Sequence, residues 1–551
     1  MLVKQYMNTG KQRVLIPASA KGMRLSEYLA GKGYPLNAPC GGKGTCGKCR
    51  VTVVRGTFSA SPISETAVSD IGKGEQECSV LACQVYCTGE EAEILLPINA
   101  GSGLTDFSAA EDTEQQSAAD TEAAEPSQNN SIYDVALDIG TTTLAAALIC
   151  RADGSILHTV SRLNPQQSFG ADVMTRIGCI MQEEGKLYEM QRILLKAVRE
   201  MLSALNEKAG RDCDAQFLQM AVAGNTTMLH IFCGISPAGI GTYPFTPAFT
   251  EERIVAGKTL DLPVEGVIVL PSAGAFIGGD ITAGVYMSRM MKSTEPAVLI
   301  DIGTNGEMVL FTGTSGSGEL YAASAAAGPA MEGAGISTGV GGVPGAVCSV
   351  KRKSRGKSGA VSPAAMDDLF VQTIDNAAPV GICGSGLIDL IAVLLDTGAL
   401  DETGYFEDEE IVYAENGETA LSINQEDIRA FQLAKGAIRA GLTALCDAAK
   451  LCVTDLRTIY LAGGLGYYMN VDAAVRVGLL PDTASGVCRV RSIGNSALGG
   501  AVLRLTENAA GAEIARAEIA RIATACSTVE LNSSPVFTNA FMEEMMFPLM
   551  N

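Results

Sequence analysis

The sequence predicts a multidomain chain, α+β at its N-terminus and α/β beyond it. Three observations predict this. Cysteines and glycines crowd into one short loop among β-rich runs, a cation-free acidic stretch follows, and a tetrapeptide then occurs twice in matching strand context. The 551 residues suggest roughly three or four domain-sized units. A hydrophobic content of 47% is ample for large cores, so the chain is globular.

Residues 1–98 read as short strands and turns. Arg13 to Ile16, Cys49 to Val54 and Glu93 to Leu96 are β-rich, and a helix beginning near Arg24 leads into Cys40-Gly41-Gly42-Lys43-Gly44-Thr45-Cys46-Gly47-Lys48-Cys49. A further cysteine follows in Leu81-Ala82-Cys83-Gln84. The spacing C-x5-C-x2-C is one residue longer than the plant-type ferredoxin loop, which also has a distant fourth cysteine. Glycines suit a loop wrapped round a cluster, because it needs positive φ and close backbone approach. Its N–H groups can point at the sulfurs and help set the potential.

Zinc would call for two C-x2-C pairs, and one is present. Disulfides do not fit a cytosolic chain. The run from Gly42 to Lys48 nearly matches a phosphate loop, but Cys49 stands where a Ser or Thr would hold magnesium. A 2Fe–2S cluster on Cys40, Cys46, Cys49 and Cys83 is therefore expected, in a small β-grasp ferredoxin-type domain. Cys78 and Cys87 could replace Cys83, which is preferred because the apolar run Val80 to Val85 suits a buried ligand.

Residues 99–131 contain Asp106, Glu111, Asp112, Glu114, Asp120, Glu122 and Glu125 among Ala, Ser, Thr and Gln, with no Lys or Arg. Such a stretch cannot bury enough apolar surface to offset its ordering entropy, and reads as an acidic flexible linker.

Beyond it, Leu137-Asp138-Ile139-Gly140-Thr141-Thr142-Thr143 is echoed by Ile300-Asp301-Ile302-Gly303-Thr304-Asn305-Gly306. Each copy lies between two β-rich runs, so each is a strand–turn–strand hairpin. The repeat implies two similar halves, 132–262 and 263–551. An Asp at a strand end can hold magnesium or its waters. The Gly lets backbone approach a phosphate, whose oxygens Thr hydroxyls and N–H groups can bond. Asp138 and Asp301 are thus candidates for managing the metal, and Gly140, Thr141, Thr142, Thr143, Gly303, Thr304 and Asn305 for contacting phosphates. Leu461-Ala462-Gly463-Gly464-Leu465-Gly466 follows a helix over Ile428 to Leu451, and Gly463, Gly464 and Gly466 would let a ring or ribose approach, or simply turn strand into helix. Further glycine turns occur at Gly328, ahead of Glu332, and over Gly381 to Gly386. Residues Glu184 to Leu205 form an amphipathic helix with Leu187, Met190, Leu194, Val198, Met201 and Leu205 on one side.

These hairpins with Leu461-Ala462-Gly463-Gly464 resemble the phosphate and adenosine motifs of the ASKHA superfamily, an actin-like, duplicated RNase H-like fold. The whole chain is similar to the reductive activators of corrinoid proteins, through the cluster loop, Leu81 to Gln84, Asn164-Pro165-Gln166, Gly170-Ala171-Asp172-Val173, Gly224-Asn225-Thr226-Thr227-Met228, Gly328 to Gly333 and Gly381 to Gly386. Relatives built on 4Fe–4S domains would carry two cysteine-rich sets near the C-terminus, where this chain has only Cys526.

The resemblance implies an ATP-hydrolysing iron–sulfur activase. It would pass an electron through its 2Fe–2S cluster to reduce the Co(II) corrinoid of a methyltransferase system to Co(I). The implied cofactors are the cluster, ATP and Mg2+. The implied partners are a corrinoid protein and an upstream electron donor, a ferredoxin or flavoprotein, and a homodimer is left open. Glu332 is the candidate for positioning the attacking water. The alternatives are an ATP-driven low-potential electron donor to another enzyme, a small-molecule kinase with a redox domain, and an ATP-binding redox sensor. A net charge of −21 argues against nucleic acid and anionic membranes. Met1 to Gly10 lack the apolar core of a signal peptide, and no run of about 18 apolar residues occurs. Sixteen scattered cysteines complete the expectation of a cytoplasmic, anaerobic protein with no membrane partner.

Overall fold

The computed structural model describes residues 13–32, 36, 49–61, 67–71, 78–96, 132–314, 317–353, 369–417, 419–482, 488–506 and 509–549. Cys40, Cys46 and the acidic stretch 99–131 lie outside the described residues. The chain divides into two compact units, Met1–Asp280 with Ala501–Ala517, and Ile281–Gly500 with Glu518–Asn551.

The first unit begins with a small sheet built on the strand Arg50–Ser59. Ala92–Leu95, Ala67–Ile71, Cys78–Leu81 and Tyr86–Cys87 all pair with it, and Arg13–Ile16 pairs with Ala92–Leu95. Val51 and Val53 alternate inward along the central strand, as a strand with one covered face requires. They meet Leu25 and Leu29 of the helix Leu25–Gly31 in a common core.

The rest of this unit carries a six-stranded sheet in the order Arg253–Ala256, Val264–Val269, Phe217–Gly224, Tyr133–Ile139, Thr143–Cys150, Ile156–Leu163. Val135, Leu137 and Ile139 of the central strand are buried with Ala136 between them, the near-continuous apolar run of a strand covered on both faces. The helix Lys186–Lys208 buries Met190, Leu194, Val198, Met201 and Leu205 against this sheet's core. It starts two residues later than its apolar period predicts, because Gly185 at its N-cap is left-handed, with φ +87°.

The second unit carries the sheet Arg489–Gly494, Thr458–Ala462, Ala297–Ile302, Gly306–Phe311, Leu320–Ala325, Cys526–Thr528. Without the edge strands Arg253–Ala256 and Cys526–Thr528, the two six-stranded sheets share one order. In each, a parallel pair flanks the first strand of an antiparallel three-strand meander. The duplicated hairpin is thus the visible part of a duplicated fold. The helix Gln425–Ala448 begins three residues earlier than its apolar face does, because Asn424 and Asp427 form a capping box. Among the described residues, no helix is long and apolar enough to cross a membrane.

The segment Gly381 to Gly386 is not a glycine turn. Gly381–Ile382 is a strand and Gly384 opens the helix Gly384–Thr397. A Cβ on Gly384 would lie 1.9 Å from the Met331 carbonyl, and one on Gly386 2.2 Å from that of Val347. These glycines let a helix press against neighbouring backbone.

Candidate functional site

In the N-terminal domain Cys49 and Cys83 are both buried. The Ala82 N–H donates to the Cys49 carbonyl at 3.0 Å, which places the start of the strand Arg50–Ser59 against the turn holding Cys83. The helix Leu25–Gly31 braces that turn from the other side, with Ser26 N–H donating to the Ala82 carbonyl and Leu25 N–H to that of Val85. Gln84 Nε2 lies 3.6 Å from Cys83 Sγ, a donor aimed at the sulfur. A thiolate ligand would be stabilised by it. Cys87 is also buried, but it sits in the strand Tyr86–Cys87, and burial pushes its thiol up to about 11. The Cys78 side chain lies outside the described set.

In the first hairpin Gly140 N–H donates to the Thr143 carbonyl, and a Cβ on Gly140 would lie 2.6 Å from that oxygen. Only glycine fits there. The next feature was not legible in the sequence. The carbonyls of Gly140, Thr141 and Thr142 each accept a side-chain hydrogen bond, and the three donors form a polar wall about the turn. Asn164 Nδ2 donates to the first at 2.8 Å, Arg176 Nη2 to the second at 2.6 Å, and Gln167 Nε2 to the third at 3.1 Å. In a trans peptide the carbonyl and the following N–H point in opposite directions. The N–H groups of Thr141, Thr142 and Thr143 are therefore each directed away from the donor that holds the preceding carbonyl, a disposition that an anion-binding nest requires. Asn225 Nδ2 donates to Thr141 Oγ1 at 2.9 Å, which leaves the hydroxyl's own hydrogen to be aimed at a ligand.

Local rules explain the wall. Asn164 caps the 3-10 turn Pro165–Ser168 by accepting from Gln166 N–H. Asp172 caps the helix Val173–Gln182 through Thr175 N–H at 2.8 Å, which carries Arg176 inward. Asn225 caps the helix Thr226–Cys233 with its oxygen on Met228 N–H and so turns its amide nitrogen to Thr141. Each motif places an Asn or Asp at a helix start, and only the fold brings side chains from all three to one turn.

The second hairpin gathers different chemistry. Gly303 N–H donates to the Asn305 carbonyl at 2.9 Å. Thr304 Oγ1 donates to Glu332 Oε2 at 2.6 Å. Glu332 ends the 3-10 turn Pro329–Glu332, which starts after Gly328 at φ +78°. Asp301 registers beside Ala462, so its carboxylate faces Gly463, where a Cβ would lie 2.6 Å from Oδ1 at φ +80°. Asp301, Thr304, Glu332 and Gly463 are thus brought together, and Gly463 doubles as the strand-to-helix turn into Gly463–Tyr468. Burial, and then the charge of Glu332, push the Asp301 carboxyl up to about 6. Two carboxylates set close enough to repel one another form a donor set suited to a hard divalent cation. Gly464 is exposed with open space around it, whereas Gly466 packs against Leu461. In the first unit Asp138 registers with Ala223, just as Asp301 does with Ala462. Gly224-Asn225 is therefore the first half's counterpart of Gly463-Gly464.

Residues 10–88 match the 2Fe–2S iron–sulfur cluster binding domain family, 133–293 the RACo middle region, and 295–551 the C-terminal domain of RACo, the ASKHA domain. The corrinoid activation enzyme RamQ of Eubacterium limosum is 30% identical, over 95% of this chain and 96% of its own. A [Co(II) methylated amine-specific corrinoid protein] reductase of Methanosarcina barkeri is 27% identical over 67% of this chain and 68% of its own. A solved reductive activator for corrinoid, iron–sulfur protein superposes with a TM-score of 0.67 at 27% identity, over 97% of this chain and 96% of that one.

Proposed function

The chain belongs to the family of reductive activators of corrinoid proteins, and on that premise we propose that it reduces the Co(II) corrinoid of a methyltransferase partner to Co(I) with one electron, at the expense of ATP. The observation that carries this reading is the coexistence, in one chain, of a buried cysteine pair with a donor on its sulfur and a duplicated hairpin fold. A ferredoxin alone has no use for the second, nor a kinase for the first.

Cys40, Cys46, Cys49 and Cys83 would hold the 2Fe–2S cluster, which supplies one-electron carriage when bound. The buried Cys49 and Cys83 and the Gln84 amide fit that role. The chain's own residues would handle the nucleotide. The outward N–H groups of Thr141, Thr142 and Thr143 and the Thr141 hydroxyl would bond phosphate oxygens, with Thr304 and Asn305 serving the second hairpin. Asp138 and Asp301 would manage Mg2+, directly or through its waters. Glu332, held by Thr304, would orient the attacking water, and Gly463 and Gly464 would lie near adenosine. An electron donor of the ferredoxin or flavoprotein class would load the protein.

The test is anaerobic. Protein with a full cluster, a strong reductant and ATP is mixed with the Co(II) corrinoid protein, and Co(I) is followed by its visible spectrum. ATP-dependent Co(I) formation is expected. ATP hydrolysis without Co(I) under any electron supply would sink the reading. ADP release driven by a small molecule alone would favour a kinase.

A further inference from the structure

Arg176 is fully buried, with none of its surface exposed. Its guanidinium donates through Nη2 to the Thr141 carbonyl, through Nε to the Gly170 carbonyl at 2.9 Å, and through Nη1 to Gln166 Oε1 at 3.4 Å, with Met228 Sδ 3.2 Å from Nη1. All these partners are neutral. Among the described residues no carboxylate pairs with it; Asp172 favours its charge only from a distance, and its oxygens are occupied by Thr175. A buried charge of this kind is costly unless something of opposite sign balances it.

That something is not built into the wall. The guanidinium's shortest bond runs to the peptide that joins Thr141 to Thr142, whose N–H is directed to the opposite side of the turn. A carbonyl bonded to a cation polarises its peptide and strengthens the N–H as a donor. The charge of Arg176 is thereby passed to an N–H on the far side of that peptide.

We propose that Arg176 is a positioning residue whose buried charge is balanced by the bound polyphosphate of a nucleoside triphosphate, acting through the Thr141–Thr142 peptide. This rests on the reading of the first hairpin as a phosphate site. It adds that the ligand's charge, not only its shape, is recognised from behind the turn. Ligands with more phosphate charge gain most, so the preference for ATP over AMP depends on Arg176. Because the guanidinium itself never touches the ligand, its effect passes wholly through the backbone it holds.

The test gives Arg176 a counter-charge of its own. Gln166→Glu conserves volume and places a carboxylate where Gln166 Oε1 now faces Nη1. Affinities of the full-length protein for ATP, AMP and inorganic tripolyphosphate are measured by calorimetry. ATP and tripolyphosphate should weaken by about tenfold or more in the variant, and AMP by less than about threefold, since a local charge effect scales with ligand charge. Unchanged ATP and tripolyphosphate affinity, or equal loss for all three ligands, overturns the proposal and leaves Arg176 as a brace only. Should Gln166→Glu fail to fold, Arg176→Lys and Arg176→Gln replace it. The lysine variant should keep most of the ATP-over-AMP preference and the glutamine variant lose it; equal loss in both overturns the charge argument. If the unmodified protein binds neither ATP nor tripolyphosphate, the nucleotide reading fails first and this proposal with it.

Discussion

Asp301→Asn should stabilise the metal-free protein while disabling it. Burial and Glu332 lift the Asp301 carboxyl from 3.8 to about 6. The sign follows from linkage. An acid whose folded value is raised contributes stability that is fully present below 3.8 and lost as pH rises through about 6. The ionised apo site thus costs about 3 kcal/mol at most, at about 1.4 kcal/mol per tenfold change in proton affinity. Asp301 is partly accessible, so solvent screening reduces that figure. Asparagine keeps the shape and cannot ionise. Thermal melts in chelator, followed by far-UV circular dichroism from pH 4 to pH 7.5, should show the variant gaining on the parent as pH rises. For a unit of this size about 2 °C accompanies each kcal/mol, giving a gain of a few degrees at pH 7.5. ATP hydrolysis should fall by about 100-fold or more, because a charge-stabilising group is lost. A variant that melts below the parent at pH 7.5, or a difference that does not change with pH, would refute the reasoning.

Cys83→Ser should strip or distort the cluster and lower the iron content from about two per chain, whereas Cys87→Ser should leave it in place; an intact spectrum in Cys83→Ser would remove that residue from the ligand set. Asp138→Ala should abolish most ATP hydrolysis with little change in melting temperature, and unaltered turnover would remove it from the metal site. Asn164→Ala releases the Gly140 carbonyl and uncaps Gln166; it should cost about 2 kcal/mol of stability and raise KM for ATP more than it lowers kcat. An unchanged KM would mean that the wall does not shape the nest. The acidic stretch, about 30 residues, has an r.m.s. span of roughly 30 Å if flexible. Shortening it by about 20 residues should slow corrinoid reduction and spare both iron content and ATP hydrolysis; full-rate reduction would refute a need for the linker's length.

Much of the local structure was legible in the sequence because its signals are local. Both hairpins were marked by Asp-Ile-Gly-Thr between β-rich runs, since a turn and two strands are properties of neighbouring residues. The amphipathic helix Lys186–Lys208 declared itself by its apolar period; its start moved because Gly185 adopts a left-handed conformation there, and its end runs three residues past Leu205. The Gly381 to Gly386 run was misread for the converse reason. Glycine serves turns and close packing alike, and only the 1.9 Å approach to the Met331 carbonyl tells which.

The sequence by itself determined which residue types were available for chemistry: four candidate thiols, two hairpin aspartates, and the hydroxyls and glycines beside them. What the tertiary structure alone decided is which side each group faces. Asn164, Gln167 and Arg176 lie more than twenty residues from the turn they hold, and Glu332 lies 28 residues from the threonine that binds it. No periodicity or spacing records such pairings, because they are made by strand order and helix entry angles rather than by neighbours along the chain. The charge of Arg176 is the clearest case. In the sequence it is one arginine four residues after Asp172, with nothing to set it apart, and only the fold shows it buried with no carboxylate paired to it among the described residues.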